Sequence, residues 1–251
     1  MPCGTLYLVP TPIGNLEDVT LRALRVLKEA DYIVCEDTRQ TVKLLNHFEI
    51  KKSLVSFYAQ NQPRRIPGII RDLAAGKNLA LVSDSGMPAI SDPGYLLVAE
   101  ALKNSINIVP LPGPNAALTA LVASGLPTHS FTFLGFLKKK PGKMKKEILK
   151  ACAAGGTVIF YESPHRIQKT LALCAQILPA GTKTVLAREL TKIYEEFLRG
   201  TLAEVNLKLS GKEPRGEYVV MLSCEDAEDS PEEGFTEEFG EADSDEKLEN
   251  Q

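Results

Sequence analysis

Short apolar runs that break off into Ser, Asp, Gly and Pro recur along this chain, a pattern that predicts buried strands delivering polar loops. The plainest case is the run at 79–82, L-A-L-V, which opens into S-D-S-G-M-P-A-I-S-D-P-G at 83–94. Gly86 and Gly94 let backbone approach a ligand, and Pro88 and Pro93 stiffen the path where no ladder N–H is needed. Asp84, Ser85, Ser91 and Asp92 then fall at the carboxyl end of a strand, where open α/β sheets bind ligands. A simple chain reversal has the same composition, so the weight lies in repetition. The run at 5–10 opens into T-P-I-G-N-L, with Thr20 placed to cap a helix carrying Leu21, Leu24 and Leu27. A strand at 31–35 delivers E-D-T-R at 36–39, whose Glu36, Asp37 and Arg39 read either as a charged site or as helix-capping charge. A helix around 40–47, a strand at 53–57 and a helix over 63–75 complete a β-α-β-α-β order. Past a helix through Leu97 and Ala101, the strand at 106–111 opens into P-G-P-N-A-A at 112–117. Asn115 and Ala116 start a helix there, with room for backbone donors to reach a ligand or for close helix packing.

Residues 124–130 mark a boundary, after which the rhythm changes. Strands are expected at 131–135, 157–161, 183–187, 194–199 and 217–223, the closing two as an antiparallel pair, with a helix through Ile167, Leu171 and Cys174. The expected units are 1–124, 125–224 and a tail at 225–251. Glu162, His165, Arg166, Arg188 and Glu189 lie near strand ends; His165 ranks below the carboxylates as a proton acceptor, because a lone histidine beside proline is more often structural.

Charge divides the chain. Its net charge of −3 conceals a tail at 225–251 with 13 acidic residues and one lysine, leaving 28 basic and 19 acidic residues in the first 224. Such a tail cannot bury enough apolar surface to offset its ordering entropy and is expected to be disordered. The basic body suits an anionic partner, and Lys138, Lys139, Lys140, Lys143, Lys145 and Lys146 concentrate this charge at the start of a helix, where cations oppose the dipole. Five scattered cysteines and three histidines suggest neither a metal site nor a disulfide framework. With no signal segment and no apolar run of membrane-spanning length, the expected location is the cytoplasm. Neither common nucleotide fingerprint occurs in the first loop.

Six collinear motifs carry a resemblance: V-P-T-P-I-G-N-L-E-D-V-T (9–20), E-D-T-R (36–39), L-V-S-D-S-G-M-P-A-I-S-D-P-G (81–94), P-L-P-G-P-N-A-A (110–117), F-Y-E-S-P-H-R (160–166) and A-R-E-L-T-K (187–192). In these the chain resembles the ribosomal RNA small subunit methyltransferase I family of the tetrapyrrole methylase-like superfamily. The resemblance implies a two-domain α/β fold of the class III S-adenosylmethionine-dependent type, each domain a mixed sheet flanked by helices, usually as a homodimer. It implies S-adenosylmethionine in the cleft between domains and methyl transfer to a cytidine ribose 2′-oxygen of small-subunit ribosomal RNA, naked or in the assembled subunit. By motif, Pro12, Ser83, Asp84, Ser85, Gly86, Pro88, Asn115 and Ala116 would line the cofactor from the first domain, and Glu162, Ala187 and Gly216 from the second. Glu36, Asp37 and Glu162 are the expected proton acceptors, Arg39 and Arg188 the expected phosphate holders, and the six lysines the expected RNA contacts. Two departures stand out: Met87 replaces the family's usual hydroxyl-bearing residue, and F-Y-A-Q-N-Q (57–62) stands where members often carry H-x-H-N-E. Methylation of a tetrapyrrole or a protein side chain, or a catalytically silent ribosome-assembly factor, are the alternatives.

Overall fold

In a computed structural model, described for residues 3–211 and 213–224, the apolar runs become two five-stranded sheets. The first contains β1 (Thr5–Leu8), β2 (Tyr32–Cys35), β3 (Leu54–Ser56), β4 (Leu79–Val82) and β5 (Asn107–Pro110), in the order β3-β2-β4-β1-β5. All four of its pairings are parallel. Parallel strands are covered on both faces, which is why β4 reads as an unbroken apolar run with all four residues buried. Its alternation splits the core: Ala80 and Val82 meet α1 (Leu21–Glu29) and α2 (Thr38–His47), while Leu79 and Leu81 meet α3 (Gln62–Ala74) and α4 (Tyr95–Lys103). Thr20 caps α1 as expected, accepting the Ala23 N–H at 3.0 Å.

The second sheet contains β6 (Phe131–Phe136), β7 (Thr157–Glu162), β8 (Lys183–Arg188), β9 (Glu196–Thr201) and β10 (Tyr218–Ser223), in the order β6-β7-β10-β8-β9. Only β6–β7 is parallel, so this sheet is mixed as expected, whereas the first is wholly parallel. One face packs on α6 (Pro141–Cys152), α7 (Ile167–Ile177) and α8 (Leu202–Leu209). The other packs on α5 (Ala116–Val122), which follows the first sheet in sequence yet buries Ala117, Ala120 and Leu121 against the second.

Three readings of the sequence are corrected here. The closing strands do not pair with each other, because β8 lies between them and bonds both. Helix α8 went unread, although T-L-A-E at 201–204 forms a capping box in which Thr201 and Glu204 satisfy each other's backbone N–H. Cys152, ending α6, and Cys224, just past β10, are joined as a disulfide, although no such pairing was expected. Proximity in the fold, invisible in their 72-residue separation, brings them together. The acidic segment 225–251 and the disorder expected of it lie outside the described residues. No helix among the described residues is long and apolar enough to cross a membrane.

Candidate active site

The carboxyl ends of β1, β4 and β5 converge on a cleft of about 500 Å³ whose opposite wall is the second sheet. Thr11 and Gly86 exchange backbone hydrogen bonds at 2.9 and 3.0 Å, stitching the loop after β1 to the loop after β4. Ser83, buried, donates from Oγ to the Gly86 carbonyl at 2.8 Å, and Thr11 Oγ1 donates to the Ser83 carbonyl at 3.1 Å. Gly86 sits at φ +78°, where a side chain is strained, and a Cβ there would come within 3.3 Å of Ile13. At Gly113 a Cβ would approach Pro10 to 2.7 Å, so the third loop is equally close. Asn115 caps α5, accepting the Leu118 N–H at 3.0 Å, and lines the cleft beside Ala116.

Carboxylates dominate the first-sheet wall. Glu36, Asp84 and Asp92 all line the cleft. Burial, then the charges of Glu36 and Asp84, pushes the Asp92 carboxyl up to about 7. Burial likewise raises Glu36 and Asp84, each with neighbouring carboxylates adding to the effect. Asp84 accepts the Asp37 N–H at 3.0 Å; neither Glu36 nor Asp92 is held by a hydrogen bond among the described residues. Asp37 belongs to a different arrangement. It caps α2 by accepting the Arg39 N–H and is chelated by the Arg39 guanidinium, which hold its carboxyl down at about 2. It is a poor proton acceptor for that reason, and Arg39 is exposed and is not among the residues lining the cleft.

On the second-sheet wall, Glu162 is buried and takes hydrogen bonds from the Ser163 N–H at 2.8 Å and Thr170 Oγ1 at 2.7 Å, with Arg166 at 3.3 Å. It shares the face of Phe160, and the bond from Thr170 turns its carboxylate towards α7; its oxygens are already engaged. Arg188 misses the cleft for a related reason. Strand alternation sets Val185 and Ala187 on the α5 face and Leu186 on the other, with Arg188 following Leu186 into an ion pair with Glu196 at 3.3 Å. Ala187 is fully buried in the core between the halves. Gly216 holds the turn before β10 at φ +79°, against the Glu189 side chain, and its neighbour Glu217 reaches the cleft instead, bridged with Glu189 by Lys192. Of the expected cofactor contacts, Asp84, Ser85, Gly86, Asn115, Ala116 and Glu162 line the cleft; Pro12, Ser83, Pro88, Ala187 and Gly216 support or flank it. All six lysines are exposed along the approach to α6 and its first two turns, outside the cleft.

Sequence reasoning gave no role to Phe136 and Tyr161 and placed Asp92 in a ligand-binding loop without a catalytic or cofactor role, yet all three line the cleft. The second S-D pair of the loop was the only available signal for Asp92. Met87, one of the two departures, also lines it. The other departure, 57–62, forms a turn in which Asn61 accepts the Tyr58 N–H at 2.9 Å and donates to the Ser56 carbonyl at 3.1 Å. No group of three or more potential metal-ligating side chains clusters among the described residues.

A cleft of this size suits a small organic cofactor, and its surfaces are of two kinds. Ile13, Met87, Ile90, Leu190 and Val219 supply apolar area, while the carboxylates favour a cation. The one lysine of the lining, Lys192, is already paired with Glu189 and Glu217. The residues present therefore fit a compact ligand with an apolar body and positive charge.

Residues 5–206 match the family of Tetrapyrrole (Corrin/Porphyrin) Methylases. Among curated proteins, ribosomal RNA small subunit methyltransferase I of Halalkalibacterium halodurans is 53% identical over 92% of this chain and 79% of its own length. The proteins of the same name from Bacillus subtilis and Thermotoga maritima are 48% and 46% identical, over 92% and 88% of this chain and 78% and 98% of their own. Among solved structures, a diphthine synthase aligns with a TM-score of 0.69 at 14% identity, covering 88% of this chain and 90% of its own. Uroporphyrin-III C-methyltransferase from Thermus thermophilus, solved with S-adenosyl homocysteine, aligns with a TM-score of 0.62 at 20% identity, covering 88% and 97%. These distant structures share the fold.

Proposed function

The chain belongs to the tetrapyrrole methylase family and, within it, to the small-subunit ribosomal RNA methyltransferases I, and from that premise we propose that it methylates a cytidine ribose 2′-hydroxyl of small-subunit ribosomal RNA. The donor in this reading is S-adenosylmethionine. The observation that carries the reading is the cleft itself, where carboxylates without a free basic side chain line one wall and exposed lysines stand outside. Bound there, the cofactor supplies an electrophilic methyl on a sulfonium that departs as a neutral thioether.

The residues have separable tasks. Gly86, Asn115 and the stitched loops set a rigid floor, so that alignment contributes to rate; effective molarities in favourable cases are worth roughly 7–11 kcal/mol. Asp84 and its neighbours favour the cationic ligand over its neutral product. Asp92 and Glu36 are the carboxylates able to accept the hydroxyl proton, since Glu162 and Asp37 are committed elsewhere. The six lysines draw the RNA phosphates, with Arg39 available at the surface. The enzyme in this reading is a cytoplasmic homodimer, for which the exposed Leu118 and Val122 of α5 offer apolar area.

The decisive experiment transfers labelled methyl from S-adenosylmethionine to small subunits lacking this modification, then to naked RNA, and maps the product. Label on one cytidine ribose is the expected result. Label on a protein or tetrapyrrole acceptor, or particle binding without turnover on either RNA substrate, would replace this reading.

A further inference from the structure

At the mouth of the cleft, β6 breaks its register. Phe133 pairs with Ile159, but the next aligned residue is Phe136, opposite Tyr161, so three steps along β6 match two along β7. Side chains alternate between faces, so an unbroken strand would put Gly135 opposite Tyr161 and send Phe136 to the α6 face. The extra residue reverses that assignment. Leu134 and Leu137 both pack on the α6 face, while Phe133 and Tyr161 pack on the α5 face that continues into the cleft. Gly135 takes φ +62°, and a Cβ there would fall 2.9 Å from Ser91 Oγ, so the bulge also seats the strand against the loop after β4.

What the bulge delivers is an aromatic ring. Phe136 lines the cleft and is 57% exposed. Tyr161 supports it edge-on, with centroids 5.5 Å apart and an interplanar angle of 64°, and Phe133 braces Tyr161 at 4.9 Å. One residue separates the ring from Lys138, Lys139 and Lys140, all exposed. A braced aromatic surface with an adjacent cation run matches the two needs of single-stranded nucleic acid, a π-face for the base and charge for the phosphates. The carboxylates inside the cleft repel phosphate, which leaves the ribose and base as the parts that enter.

Resting on the RNA-methylating reading above, we propose that Phe136 is the platform on which the unpaired base of the acceptor nucleotide stacks. Base–aromatic stacking is worth about 1–3 kcal/mol by alanine substitution, so Phe136→Ala lowers kcat/KM for RNA by roughly 5–150-fold. Because Phe136 also lines the cleft, kcat/KM is compared at saturating S-adenosylmethionine, and the melting temperature stays at the parental value. Phe136→Tyr and Phe136→Trp keep kcat/KM within about threefold, whereas Phe136→Leu, apolar but without a π-face, behaves like alanine. An RNA carrying an abasic site at the acceptor position loses the difference between parent and Phe136→Ala.

Activity restored by leucine, or an alanine penalty that persists on abasic RNA, would overturn the proposal. Anisotropy of a labelled single-stranded oligonucleotide containing the acceptor cytidine separates this failure from that of the wider reading. A parent that binds it without methyl transfer, and loses affinity on Phe136→Ala, keeps the platform and removes the catalytic reading; a parent that does neither removes both.

Discussion

Asp92 shows how a residue acquires a role that its local sequence does not announce. Its carboxyl is raised from an ordinary 3.8 to about 7 by burial and by Glu36 and Asp84 alongside. As a proton acceptor it must be ionised, so kcat/KM for RNA at saturating S-adenosylmethionine is expected to rise as pH passes through about 7, and Asp92→Asn to abolish that limb. Stability moves the opposite way. The folded state holds this proton more tightly than the unfolded chain, so the contribution is complete below 3.8 and is lost as pH rises through about 7. Asp92→Asn is therefore expected to stabilise the protein at pH 8, by about 1–2 kcal/mol, measured by denaturant unfolding. Local readings such as the Thr20 cap succeeded because they depend on neighbours in sequence. The surroundings of Glu162 and Arg188 were not legible because the face they occupy is set by β7 and β8, and those of Asp37 because a residue two places along chelates it.

Among elements, the closing strands were legible but their pairing was not, and α8 went unread despite a visible start. The capping box of α8 carries a signature readable in T-L-A-E, and losing it has a calculable cost: Thr201→Ala should destabilise the fold by about 1 kcal/mol without altering cofactor affinity. Strand pairing carries no such mark, and β8 enters between β9 and β10 only because the second sheet fills that way. The lysines of the α6 approach belong to this scale too, since their effect is collective. Replacing Lys138, Lys139 and Lys140 by glutamine should weaken RNA binding and flatten its dependence on salt, with the methyl donor bound as before; a titration at several ionic strengths reads both.

For the whole molecule, α5 fixes the cleft, because it follows the first sheet and packs on the second through Ala117 and Ala120. Small side chains there keep the two walls close. Ala120→Leu would overpack that contact, at about 1–3 kcal/mol, and should lower S-adenosylmethionine affinity although it touches no ligand; calorimetry of donor binding tests this. The alternation of strand and loop made two α/β halves legible, but nothing in it disclosed that a helix from one half braces the other. Strand order has a consequence of its own. β10 lies in the interior of the second sheet, between β7 and β8, although it is the last strand among the described residues. A nascent polypeptide therefore keeps both flanking edges unpaired until synthesis reaches β10, and a product stalled or truncated before it would present open edges prone to aggregation.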